Sequence, residues 1–258
     1  MRVVIMQPTY LPWLGYFDLM EQSDIFVFRD EVQFEKQSWQ QRNRIKTPNG
    51  VVWLTVPVHK PLIQSIFKIE IDEVGSSKWS RSHWNVLRNA YYSAPYWKTF
   101  ESQLEEMYTS KWQRLADLNI ALIEWLAKKL EIATKTLRAS SLDLPAKGQH
   151  ESLVSLIGRV GGNVYLSPLG SAMYLRDENL FASNNISIEF QNYAHPEYHQ
   201  LYPPFVPYLS ALDLLLNEGE NALGILRSGR RTPYSLAEAV ALVTNKQENR
   251  GKDETGSL

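Results

Sequence analysis

Residues 1–28 read MRVVIMQPTYLPWLGYFDLMEQSDIFVF, and this stretch predicts the class of fold. Val3 to Met6 form an apolar run of strand length, and the prolines at positions 8 and 12 indicate a constrained loop after it. Leu14 to Met20 has helical apolar spacing, and Ile25 to Phe28 is a second run of strand length. A strand, a loop, a helix and another strand in this order are typical of an α/β protein.

The sequence after residue 28 predicts further strands and helices, which would form the layers of the protein. The turn signal at 47–50 predicts a β-hairpin, and alternating residues from Ile66 to Asp72 predict a further strand. Helical spacing over 79–130 predicts a helical layer. Short strands near 134–137, 164–166 and 186–190 are interspersed with helices near 151–160 and 210–217. We therefore expect an α/β fold with a Rossmann-like N-terminal sheet, a helical layer and a smaller C-terminal α/β lobe.

The length of the chain suits one folded unit with two lobes. At 258 residues it lies near the upper limit for a single core, and a weak linker signal at 140–148 separates an expected lobe at 1–140 from another at 141–228. Residues 246–258 are polar apart from the last, and this tail is predicted to be disordered.

Composition excludes several classes of function. The formal charge of −1 gives no global field for nucleic acid, so general nucleic-acid binding is disfavoured. With no cysteine, the chain has no disulfide, no thiolate nucleophile and no cysteine-ligated zinc. The first apolar run is too short for a secretion signal or a membrane span, so we expect no membrane insertion and a cytoplasmic location.

The first candidate site is the loop QPTYLPWLGYF, Gln7 to Phe17, where the first strand meets the first helix. Open α/β sheets bind ligands at this edge. Gly15 permits close backbone approach, and aromatic side chains here stack on rings or donate hydrogen bonds. A rigid aromatic plug is the alternative reading. The candidate substrate-binding residues of this loop are Gln7, Tyr10, Trp13, Gly15 and Tyr16.

The second candidate site is the basic run WQQRNRIK. Arg42, Arg44 and Lys46 alternate along a predicted strand and should project from one face, with Asn43 between the arginines. Arginine suits bidentate recognition of phosphate or carboxylate, so the sequence indicates an anion site; a solvated strand face is the alternative.

Histidines and carboxylates supply the candidates for acid and base chemistry. His83 lies on a predicted helix, and His195 and His199 lie in the proline- and tyrosine-rich loop YAHPEYHQLYPPF, which also holds Tyr193. Pro196 argues against a helical zinc site at the two loop histidines.

Asp30 and Asp213 could each orient a histidine, although capping or surface roles are the alternatives, and Ser210 precedes the helix that holds Asp213. The chain lacks GxSxG, HExxH, a Walker loop and GxGxxG, and it identifies no cofactor and no metal site.

Seven ordered segments together resemble the WbqC-like protein family across roughly residues 1–225. They are QPTYLPWLGYF, DEVQF with SWQQRNRIK, WLTVPV, HWNVLRNAYYSAPYW, YLSPLG, YAHPEYHQ and LSALDLLLNEG. The resemblance implies a role in surface-polysaccharide or O-antigen biosynthesis, as a transferase of an acyl or aminoacyl group, such as glycyl, to a nucleotide-linked amino sugar. It leaves an aminoacyl-tRNA donor open.

Under this resemblance each candidate residue receives a role. His195 or His83 would accept the proton, Gln7 and Tyr16 would position the acceptor, and the cations at 42, 44 and 46 would hold its anionic part.

Two alternatives remain. The LPWLGYF segment is similar to the xPxHxGH loop of HIGH-type nucleotidyltransferases, but Trp13 and Tyr16 stand where that family has histidines. The other alternative is a non-catalytic module whose aromatic cleft binds a sugar or a partner protein.

Overall fold

The computed structural model describes residues 1–59, 63–72, 79–142, 148–176 and 179–255, with side chains described as far as residue 245. The strands are β1 Arg2–Met6, β2 Ile25–Phe28, β3 Arg42–Thr47, β4 Gly50–Thr55, β5 Lys135–Arg138, β6 Val164–Ser167 and β7 Ser187–Phe190. The helices are α1 Leu14–Glu21, α2 Trp79–Tyr91, α3 Trp97–Thr109, α4 Leu115–Lys129, α5 Gln149–Arg159, α6 Asn179–Ala182, α7 Ala211–Glu218, α8 Ala222–Ser228 and α9 Leu236–Thr255.

A five-stranded parallel sheet forms the centre of the molecule, in the order β5-β2-β1-β6-β7. The chain fills one side of β1 with β2 and β5, and then returns to fill the other side with β6 and β7. The strand order therefore reverses between β1 and β6. In open α/β sheets the crevice at the carboxyl ends of such strands is the usual ligand site. The α/β, Rossmann-like prediction is confirmed.

Both faces of the sheet are covered, which explains why β1 and β2 are continuous apolar runs. Val4 and Phe26 point into a core formed with the helical layer, and Val3 and Val27 point into a second core on the opposite face. Alternate residues of a strand face opposite sides, so a strand buried on both sides needs apolar residues at every position.

The predicted hairpin is found as β3 and β4, and the predicted helical layer is found as α2, α3 and α4. Arg44 pairs with Trp53 and Lys46 with Val51 across the antiparallel ladder. In the helical layer, Trp84 stacks on Trp97 with their ring centroids 5.4 Å apart.

The predicted strand from Ile66 to Asp72 is wrong. Residues 66–68 form a 3-10 turn, and isolated bridges join Val58 to Ile71 and Glu70 to Arg114. Ile66, Ile69 and Ile71 are buried, so the apolar spacing here reflects a turn packed on the core.

The C-terminal part of the chain contributes to the same core. Arg230, which follows α8, donates from Nε to the fully buried Asp18 of α1 at 2.8 Å and also pairs with Glu21.

Helix α9 runs into the segment for which the sequence predicts disorder, and residues 256–258 lie outside the described residues. The linker signal at 140–148 also lies partly outside them. Within the described segments, no helix combines the length and apolarity needed to cross a membrane.

Candidate functional site

The loop after β1 begins with carbonyl groups that side chains hold in place. The Tyr16 hydroxyl donates to the Gln7 carbonyl at 3.1 Å. Asn119 of α4 is fully buried, and its Nδ2 donates both to the Pro8 carbonyl at 3.1 Å and to the Gln40 carbonyl at 2.7 Å. One amide therefore ties the β1 loop to the segment that precedes the hairpin.

The second half of the loop is held in the same way. Leu11 has a left-handed backbone with φ 45°, a conformation that costs a non-glycine residue about 1–2 kcal/mol. Asn43 of β3 donates from Nδ2 to the Leu11 carbonyl at 2.6 Å, and the Ala211 N–H of α7 donates to the Pro12 carbonyl at 2.8 Å. The loop is therefore a fixed surface, so ligand binding requires little reorganisation of it.

Gly15 allows the Trp13 ring to lie directly on the start of α1. A Cβ at this glycine would come within 2.2 Å of the Trp13 indole. The ring is also packed against Tyr193, His195 and Tyr208, with centroids 5.8, 6.2 and 5.4 Å away. Trp13 is therefore locked into one orientation.

A cleft in two chambers opens at the carboxyl ends of β1 and β6. We call the first the aromatic chamber, a cavity of about 390 Å³ lined in part by Trp13, Tyr16, Trp39, Asn43, Arg44 and Tyr208. We call the second the polar chamber, a cavity of about 380 Å³ lined in part by Gln7, Arg29, Gln40, Ser167, Ser171 and Tyr174. Met6, Thr9 and Trp39 line both chambers, which therefore adjoin.

Two side chains that line the polar chamber each have a buried donor without a hydrogen-bond partner among the described residues. They are Arg29, at Nε, and Tyr174, at its hydroxyl. The Glu31 carboxylate forms an ion pair with Arg29 Nε at 3.6 Å, longer than a hydrogen bond, and burial raises the pKa of Glu31 against the opposing charge of Arg29. A buried donor without an acceptor is costly, so the Tyr174 hydroxyl above all favours a ligand that brings acceptor oxygens.

His195 lies behind the wall of the aromatic chamber. Its ring stacks on Trp13 and meets Tyr208 edge-on at 5.0 Å. Its Nδ1 is 2.9 Å from the Pro196 carbonyl; a carbonyl only accepts, so Nδ1 carries the proton. Nε2 then has a free lone pair, and it is buried without a hydrogen-bond partner among the described residues. Burial lowers the pKa of His195, so the ring is neutral at pH 7.

His83 lies in the interior and lines neither chamber. Its Nδ1 is 2.8 Å from the Tyr10 hydroxyl, which also meets the Tyr108 hydroxyl at 2.6 Å. Burial lowers the pKa of His83 to about 4, against an opposing hydrogen bond with the Thr55 backbone. These contacts give His83 and Tyr10 a place in the core.

This buried histidine predicts a specific acid sensitivity. As the pH falls, the unfolded chain takes up the proton near pH 6.5 but the folded chain only near pH 4, so stability present above pH 6.5 is lost on the way down. Between pH 6.5 and pH 4 we expect the free energy of unfolding of the wild type to fall by about 3 kcal/mol more than that of His83→Gln. Urea unfolding at several pH values measures both. Parallel pH dependences for the two proteins would contradict this assignment.

The other acid and base candidates lie away from the chambers. Asp30 is fully buried and accepts from Arg138 Nε at 2.8 Å and from both the N–H and the hydroxyl of Ser140. His199 is exposed, and the contact recorded for it is made by its backbone N–H with Glu218.

The three cations of β3 have different environments. Arg42 lies over the Trp53 ring at 4.6 Å, and Arg44 lies 5.7 Å from the same ring and lines the aromatic chamber. Lys46 is buried and donates to Gln200 Oε1 at 2.8 Å. Of the three, Arg44 is therefore the one placed to meet a ligand in the cleft.

Asp213 belongs to a buried network. Its carboxylate accepts from the Tyr91 hydroxyl at 2.8 Å and from the Tyr198 hydroxyl at 2.9 Å, and burial raises its pKa. Ser210 caps α7 by accepting from the Leu212 N–H.

Tyr193 supports the cleft from behind. Its hydroxyl donates to the Leu226 carbonyl at 3.0 Å while its ring meets Trp13.

The chambers also contain residues that the sequence analysis missed. Arg29 comes one position after the buried run of β2, where the carboxyl-end rule could have found it. Trp39 and Tyr208 gave no such signal, because exposed aromatic residues in loops follow no period. Among the described residues, no group of three or more acidic or histidine side chains is arranged to hold a metal ion.

A doubly wound parallel sheet with a cleft at its strand reversal defines an α/β protein of the Rossmann-like class. Residues 7–225 match the model of the WbqC-like protein family, and the chain belongs to that family. It is also 33% identical over 234 residues to the uncharacterized protein Rv1507c of Mycobacterium tuberculosis, an alignment that covers 89% of this chain and 99% of the relative. No solved structure matches it.

Proposed function

We propose that this protein is a transferase of surface-polysaccharide biosynthesis that joins an acyl or aminoacyl group to the amine of a nucleotide-linked amino sugar. Membership of the WbqC-like family supports the pathway assignment by resemblance. The observation that carries the reaction class is the pair of adjoining chambers at the strand reversal, since a group transfer must bring two reactants together.

The aromatic chamber suits the sugar. Sugar rings present apolar C–H faces that pack on indole and phenol rings, which Trp13 and Tyr208 provide. Arg44 in the same chamber supplies a cation for the phosphates that link a sugar to its nucleotide.

The polar chamber suits the acyl donor. The Tyr174 hydroxyl, which has no hydrogen-bond partner among the described residues, would donate to an oxygen of the donor, and Arg29, which pairs with Glu31 at 3.6 Å, would supply a cation in the same chamber. Because Met6 and Thr9 border both chambers, the acyl carbon and the amine would meet beside them. The amine nitrogen would then form the new C–N bond as the donor's leaving group departs with its electron pair.

His195 is the proposed proton acceptor. A neutral imidazole with a free Nε2 can take the proton that the amine loses as the C–N bond forms. The ring stands one aromatic layer behind the chamber, against Trp13 and Tyr208, so the role requires the half-exposed Tyr208 ring to move aside when the amine binds.

A mass-spectrometric assay tests the reaction directly. The protein would be offered UDP-linked amino sugars with acyl-coenzyme A, with glycine plus ATP, or with aminoacyl-tRNA. A donor-dependent increase in the mass of the sugar is the expected result. No product and no stabilisation with any nucleotide sugar would refute the substrate class.

His195→Gln is expected to lower kcat by about a hundredfold or more, because the variant lacks the base. His59→Ala, which alters an exposed histidine away from both chambers, is the control and should keep the wild-type rate. Equal rates for wild type and His195→Gln would remove His195 from the chemistry.

A sugar-binding module is the second candidate, and the position of His195 behind the chamber wall favours it. Stabilisation by a nucleotide sugar without product from any donor would support binding alone.

A further inference from the structure

Two tryptophans and two arginines form an exposed face beside the aromatic chamber. We call Trp39, Trp53, Arg42 and Arg44 the stacking platform. Trp39 is 50% exposed and Trp53 is 48% exposed, and their ring centroids are 5.4 Å apart. Adjacent indoles are seldom left half in water, so such a patch indicates a binding surface.

The charge of the platform is uncompensated. Arg42 and Arg44 lie near the Trp53 ring at 4.6 and 5.7 Å, and within the described part of the chain neither forms an ion pair with an acidic side chain. Arg44 Nη2 donates to the Tyr208 carbonyl at 3.4 Å, whereas Arg44 Nε is buried with no hydrogen-bond partner in the segments that the structure describes. A face of aromatic rings with free cations complements a ligand that joins a flat ring to an anion.

The platform continues into the cleft, because Trp39 and Arg44 both line the aromatic chamber. A ligand lying on the platform can therefore extend into that chamber without a break. This continuity sets the order of the parts of the ligand. The flat ring lies outside on the platform, the anion lies at Arg44, and the rest of the ligand lies inside the chamber.

We infer that the stacking platform binds a nucleoside diphosphate, with the base on Trp39 and Trp53 and the phosphates at Arg44. The inference rests on the proposed function in that it locates the nucleotide part of the same substrate. It also gives a function to Trp39 and Trp53, whose half-exposed rings are not needed to fill the core.

Titration calorimetry with UDP, CDP, GDP and TDP tests the inference. We expect at least one to bind, and Trp53→Ala to weaken its Kd by about tenfold, the effect of losing one stacking partner. Tyr92→Ala is the matched control, because Tyr92 is 64% exposed and lies outside the platform. No binding by any of the four, or equal Kd values for wild type and Trp53→Ala, would overturn the inference.

A second pair of variants separates the base from the phosphates. Arg44→Gln should weaken the diphosphate but leave the free nucleoside unchanged, whereas Trp53→Ala should weaken both. Arg81→Gln, an exposed arginine of α2, is the control and should change neither. Tighter binding by a short single-stranded RNA than by any nucleoside diphosphate would overturn the choice of ligand.

The two proposals fail in different ways. Diphosphate binding that depends on Trp53, without acyl transfer to any sugar, would leave the platform standing and refute the transferase. Acyl transfer with a KM that is unchanged in Trp53→Ala would do the reverse.

Discussion

Asp30→Ala is expected to lower the free energy of unfolding by about 3 kcal/mol, whereas Asp117→Ala should cost less than about 1 kcal/mol. The two carboxylates contact the same Arg138 at 2.8 and 2.6 Å, but Asp30 is fully buried and the Asp117 side chain is 44% exposed. Removing Asp30 also leaves the Ser140 N–H and hydroxyl without their acceptor.

Urea unfolding of the two variants beside wild type measures this difference. Because the partner arginine is the same, the difference measures burial of Asp30 together with its two hydrogen bonds from Ser140. Equal losses would show that neither adds to the stability of the Asp30 pair. An Asp30 variant that keeps its stability but loses turnover would restore the catalytic role that the sequence suggested.

Gly15→Ala should lower stability by about 1–3 kcal/mol, the usual cost of overpacking, and should abolish ligand binding in the aromatic chamber. The added methyl group would lie 2.2 Å from the Trp13 ring. That ring is held by Tyr193 and Tyr208, so it can leave only by distorting the chamber wall.

Gly224→Ala provides the control for Gly15→Ala. A Cβ at Gly224 meets nothing within 4 Å, and the residue lies inside α8, where alanine is the better helix former. We expect it to raise the thermal midpoint slightly and to leave ligand binding unchanged. If both variants behaved alike in thermal unfolding and in nucleotide-sugar binding, the packing of Trp13 on Gly15 would not matter.

Most of the fold could be predicted because its strands are buried on both faces. Residues 3–6 and 25–28 are apolar at every position, and only a covered sheet demands that. The prediction of a strand from Ile66 to Asp72 was wrong because the three isoleucines of this segment follow the alternating pattern of a strand only in part. A turn that buries Ile66, Ile69 and Ile71 has nearly the same pattern.

The site could be predicted where the order of the elements along the chain determines which loop lies at the sheet edge. It could not be predicted where tertiary packing determines which side chains face the cleft. The loop after the first strand must lie at the sheet edge, and Trp13 and Tyr16 do line the cleft. Whether a residue faces a cavity or the core depends on its packing partners. The sequence therefore could not show that Tyr10 meets His83, or that Lys46 is buried against Gln200.

The ion pair between Arg230 and Asp18 lengthens the minimal folding unit beyond the segment that the family shares. The family match ends at residue 225, five positions before this arginine. A chain cut at that border would leave the Asp18 carboxylate, which is fully buried, without its counter-charge, and α1 would lose its tie to the end of α8. A protein expressed only as far as the family match extends would therefore lose the ion pair that holds α1, the helix that begins beside the cleft.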